Sequence, residues 1–119
     1  MASILIVEGD LTIAKLFASI LSLQDWSADT CHNAAAALKV LNGSAAYDVI
    51  IVSYKLNGQN GLELIAAIRQ LEHRKTTPVL MITGTPGIEF DALSAGASEV
   101  LYKPIELDEL VRTVASHLP

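Results

Sequence analysis

Val49-Ile50-Ile51-Val52-Ser53-Tyr54-Lys55-Leu56-Asn57-Gly58 runs four apolar residues into a serine and then into a polar loop. A short unbroken apolar run bounded by turn residues reads as a strand buried on both faces, because a half-exposed strand would alternate. The pattern occurs twice more, as Ile4-Leu5-Ile6-Val7 ahead of Glu8-Gly9-Asp10 and as Val79-Leu80-Met81-Ile82 ahead of Thr83-Gly84. Weaker strand candidates lie near 27–31 and 99–102.

The segments between these runs carry helical spacing. Asp10 is placed to cap a first helix in which Ile13, Leu16, Phe17, Ile20 and Leu21 recur at steps of three and four. Ala34-Ala35-Ala36-Ala37 with Leu38 and Leu41 predicts a second helix stopped by Asn42-Gly43, since alanine favours helix and glycine ends it. The turn residues Asn57-Gly58 and Asn60-Gly61 precede a third, marked by Leu64, Ile65, Ile68 and Leu71. A short fourth runs from about Glu89 to Ala95 and stops at Gly96, and a fifth after Pro104 shows Leu107, Leu110, Val111, Val114 and Leu118. Five strands alternating with five helices predict an α/β fold with a doubly wound parallel sheet, because right-handed crossovers cover both sheet faces with helices.

The chain has 119 residues, 51% hydrophobic and 18% charged, which predicts one domain over 1–119 with a core large enough to stand without staples. No apolar run approaches the roughly 18 residues of a membrane span, and no basic start leads into a signal-like stretch. The expectation is a soluble, cytoplasmic protein. Cys31 has no partner cysteine and reads as a buried strand-end thiol. A net charge of −5 with eight scattered basic residues argues against direct nucleic-acid binding, which draws on clustered Lys and Arg.

Taken together, Ile4 to Asp10, Val49 to Gly58, Val79 to Gly84 and Val100-Leu101-Tyr102-Lys103-Pro104-Ile105 resemble the receiver domain of bacterial response regulators, the CheY-like family, in order and over essentially the whole chain. The resemblance implies a flavodoxin-like, CheY-like sheet in the order 2-1-3-4-5, with ligands beyond the carboxyl ends of the strands where the order reverses. Glu8, Gly9, Asp10 and Ser53 are then expected to converge, with Thr83 and Lys103 on neighbouring strand ends. In that family a strand-3 aspartate takes a phosphoryl group from a histidine kinase. Mg²⁺, held by two acidic residues after strand 1, assists, while a threonine and a lysine contact the phosphoryl oxygens. By position, Glu8 matches the first acid, Gly9 stands at the second, Ser53 stands at the phosphoacceptor, and Thr83 and Lys103 match the switch threonine and the lysine.

Two carboxylates that the resemblance calls for are therefore missing, which predicts weak or absent Mg²⁺ binding and no other cofactor. Asp10 lies one residue beyond the missing acid and reads as a helix cap. Glu8 is expected to pair with Lys103 in place of a metal cluster. Ser53 would need an adjacent base to act as a nucleophile, and His32, His73 and His117 are expected elsewhere. Val100 stands where the family carries a rotating aromatic residue, and Tyr102, the other aromatic nearby, is expected in plain sheet or surface packing. Lys55 reads as a solvated loop lysine. These departures predict a degenerate receiver, or pseudo-receiver, with no catalytic residue and one resting conformation. Its partners would be proteins: a histidine kinase, a phosphotransfer domain or an output domain, with a homodimer through the helix 4, strand 5 and helix 5 face as a further option. The alternative is a phosphorylatable receiver with an atypical metal and acceptor site.

Overall fold

The computed structural model describes residues 1–119. Five parallel strands form one sheet: β1 (Ser3–Val7), β2 (Ser27–Cys31), β3 (Val49–Ser53), β4 (Val79–Thr83) and β5 (Glu99–Tyr102), in the order β2-β1-β3-β4-β5. The helices are α1 (Leu11–Ser22), α2 (Ala34–Asn42), α3 (Gly61–Gln70), α4 (Glu89–Ala95) and α5 (Leu107–Ser116), with a 3-10 turn at Glu72–Arg74. This is the doubly wound arrangement expected from the alternation of apolar runs and helical spacing.

Period-two alternation along each strand sends neighbouring residues to opposite faces. Leu5, Val7, Ile50, Val52, Val79 and Met81 join Ala37, Leu41, Leu64, Ile65, Ile68 and Ala92, so α2, α3 and α4 cover one face. Ile4, Ile6, Val49, Ile51, Leu80 and Ile82 join Phe17, Leu21, Leu110 and Val114, so α1 and α5 cover the other. Every residue of β3 and β4 is buried, which explains their unbroken apolar sequence. Full burial of one such side chain contributes about 1.5–3 kcal/mol. The edge strand β2 is mostly exposed, which explains its weaker signal.

The loop after β3 is more ordered than the turn expected from sequence. Lys55–Leu56 and Gln59–Asn60 pair as a separate antiparallel hairpin around Asn57-Gly58. Asn57 has φ 26° and Gly58 φ 87°, the left-handed values that a tight two-residue hairpin turn demands. Asn60 then caps α3, its side chain accepting from the Glu63 N–H, and Gly61 is the first helical residue. The third helix thus begins inside the stretch that reads as a turn.

Candidate functional site

Glu8, Ser53, Thr83 and Lys103 sit at or just beyond the carboxyl ends of β1, β3, β4 and β5. The parallel register sets Val7 against Val52, Ser53 against Ile82 and Thr83 against Tyr102, and the Lys103 N–H donates to the Thr83 carbonyl at 2.8 Å. Strands pack about 4.8 Å apart, so residues at matched heights come within side-chain reach.

Glu8 is buried, and both of its carboxylate oxygens are engaged. Oε1 accepts from the Ser53 hydroxyl and lies 3.5 Å from Lys103 Nζ, while Oε2 accepts from the Asp10 N–H at 2.9 Å. The expected Glu8–Lys103 pair is present, at the long end of ion-pair contact. Isolated carboxylates are costly to bury, and here a cation, a hydroxyl and a backbone amide share the compensation. Lys103 is only partly buried, its side chain 36% exposed, so the pair stays in touch with solvent.

Asp10 enters this network through its backbone alone. Its Oδ1 accepts from the N–H groups of Thr12 and Ile13 at 2.9 and 3.0 Å, the helix-cap geometry expected of it. The buried Thr83 hydroxyl accepts from the Thr85 N–H at 2.9 Å and so closes its own loop. Outside these residues lies an open depression of about 300 Å³ bordered by Tyr54, Lys55, Thr83, Gly84, Thr85 and Lys103. Lys55 is an exposed residue on its rim.

Two residues near the site carried no functional signal in the sequence. His32 lies beside the β1–α1 loop, its Nδ1 3.1 Å from the Glu8 carbonyl oxygen, closer to the site than its place after β2 suggested. The contact is to backbone, and no hydrogen bond joins His32 to Ser53. Asn57 donates from Nδ2 to the His32 carbonyl at 3.0 Å and lies over Gly9. The Asn57-Gly58 dipeptide, a strong hairpin signal, was the clue available for the second.

A hard divalent cation takes several oxygen ligands at fixed distances, chiefly from carboxylates. The donor set here does not fit one: the pocket holds a single buried carboxylate, already engaged on both oxygens, and nowhere do three His, Cys, Asp or Glu side chains gather as a metal cluster would require. At the carboxyl end of β2, burial and the charge of Asp29 push the Cys31 thiol up from its usual range, as suits an inert core thiol.

Residues 4–115 match the family described as "Response regulator receiver domain". The chain is 29% identical over 121 residues to the transcriptional regulatory protein CpxR homolog of Haemophilus influenzae, covering 99% of this chain and 51% of that protein. It is 31% identical over 121 residues to the response regulator ArlR of Staphylococcus haemolyticus, covering 99% and 53%. The chain thus spans about half the length of these curated relatives. Among solved structures, the chemotaxis response regulator CheY4 of Vibrio cholerae superposes with a TM-score of 0.92 at 28% identity, covering 99% of each chain.

Proposed function

This chain belongs to the response regulator receiver family, and from that premise we propose that it is a receiver module that signals through protein contact and does not undergo the ordinary Mg²⁺-dependent aspartyl phosphorylation. The observation that carries the reading is the Ser53–Glu8–Lys103 contact. At the acceptor position stands a buried hydroxyl donating to the one carboxylate of the pocket, and the lysine faces that same carboxylate. With a single acid left, a cation gains neither ligands nor electrostatic attraction.

A surface for partners is available on α4 and β5. Phe90 and Leu93, one turn apart on α4, are 80% and 46% exposed, and Tyr102 at the end of β5 is 40% exposed. The Tyr102 hydroxyl donates to Glu89 at 3.4 Å, which ties the two elements together. Exposed apolar groups gathered this way favour a protein partner: a histidine kinase, a phosphotransfer domain, an output domain or a second copy. The net charge of −5 weighs against nucleic acid as a direct partner of this chain. No helix is long and apolar enough to cross a membrane.

The test is incubation with acetyl phosphate or beryllofluoride in the presence of Mg²⁺, followed by intact mass and Mg²⁺ titration. The expected outcome is no phosphoryl mass and no saturable Mg²⁺ uptake, and a phosphorylated protein would overturn the reading. The Glu8 carboxylate on the Ser53 hydroxyl favours one competing reading, in which Ser53 is the acceptor. An acid-stable phosphate mapped to Ser53 would establish it.

A further inference from the structure

We propose that Asn57 fills, from the opposite loop, the space into which an acid at position 9 would extend, so that this site disfavours a metal-ligating side chain there by shape as well as lacking its charge. The inference rests on the metal-poor reading above and adds a steric element to it. A side chain begun at Gly9 would meet Asn57 Oδ1 at 3.2 Å, Cγ at 3.3 Å and Nδ2 at 3.3 Å, close enough that Asn57 must yield by a few tenths of an ångström. The space that an acid at position 9 would sweep is therefore bounded by the carboxamide of residue 57.

Asn57 is exposed but tethered. Its Nδ2 is tied to the His32 carbonyl at 3.0 Å, and His32 Nδ1 contacts the Glu8 carbonyl oxygen at 3.1 Å. The chain of contacts Glu8–His32–Asn57–Gly9 thereby links the loops after β1, β2 and β3. On its N-terminal side Asn57 is anchored by Leu56, 1% exposed in the core. Its own φ of 26° belongs to the tight turn and restricts how the side chain can be re-aimed. Gly9 and Asn57 are thus a matched pair, in which the absent side chain of one leaves room for the amide of the other.

The experiment compares Mg²⁺ titrations of Gly9→Asp/Ser53→Asp, of the same double variant with Asn57→Gly added, and of Asn57→Gly alone. Glycine is chosen because it accepts the left-handed turn conformation. The triple variant is expected to bind Mg²⁺ about tenfold or more tightly than the double, the size of effect typical of groups that position metal ligands. Equal affinities would overturn the role of Asn57 and leave the metal-poor reading intact. Saturable Mg²⁺ binding by Asn57→Gly alone would support the closure and overturn the charge argument. Should the acidic variants fail to fold, amide exchange in Asn57→Gly still decides: exchange at Gly9 and Asp10 is expected to quicken by about tenfold as the loops unlink, and unchanged rates would overturn the proposal.

Discussion

Glu8 and Arg74 are the two buried charged residues of the molecule, 4% and 3% exposed, and they occupy opposite ends of the sheet. Arg74 follows α3 at the end where the strands begin. Its guanidinium donates to the carbonyls of Leu41 at 3.2 Å, Gly43 at 3.3 Å and Ala45 at 2.5 Å, and stacks over Tyr47 with 5.8 Å to the ring centroid. The acceptors are backbone groups at and beyond the C-terminus of α2, where a cation also meets the negative end of the helix dipole. Glu8, by contrast, draws on two side chains, Ser53 and Lys103, together with one backbone amide. A charge satisfied by backbone closes a loop and serves the fold whatever the neighbouring side chains are. A charge satisfied by side chains can be rewired by substitution, and it sits at the end where the family does its chemistry.

The largest expected effect tests the structural half of this contrast. Arg74→Met should cost about 3 kcal/mol of stability in urea unfolding, because it removes the charge-assisted hydrogen bonds that tie the loop after α3 to the carbonyls at and beyond the end of α2. A loss no larger than that of Ser53→Ala would break the distinction between the two ends. Ser53→Asp should come next, at about 2 kcal/mol, since it sets a second buried carboxylate against Glu8 with only Lys103 to offset both. Ser53→Ala removes one hydrogen bond and should cost about 1 kcal/mol, leaving the Glu8–Lys103 pair in place. The smallest effect concerns Tyr47 beside Arg74. Burial, then the hydrogen bond to Asp29 and its charge, push the Tyr47 hydroxyl up to about 12 from 10.0, against the opposing pull of Arg74. The neutral phenol therefore contributes stability that is present below pH 10 and lost as pH rises towards about 12. Unfolding midpoints across that window should fall less in Tyr47→Phe than in the unaltered chain.

Much of this was legible because the signals were local. The unbroken runs of β1, β3 and β4 read as doubly buried strands, and Asp10 ahead of an apolar helix pattern reads as a cap. The hairpin at Asn57-Gly58 went unread because its strands are two residues each, too short for any periodicity. His32 was expected away from the site and Asn57 was read only as a turn residue for another reason: their contacts to Glu8 and His32 span 24 and 25 residues, a distance over which no pattern in the chain is visible.

Residue order alone determined the layered α/β architecture and the residues at the strand ends, a glutamate, a glycine and a serine, since burial periodicity and side-chain identity are both written locally; that three acids were expected there came from the family resemblance. Only the folded chain decided how those residues are spent. Beside the Glu8–Lys103 pair that the resemblance already suggested, the sheet brought the Ser53 hydroxyl onto the same Glu8 oxygen across 45 residues, and a tight turn laid Asn57 over Gly9. Such pairings depend on strand register and loop geometry, which the packing of the whole core sets.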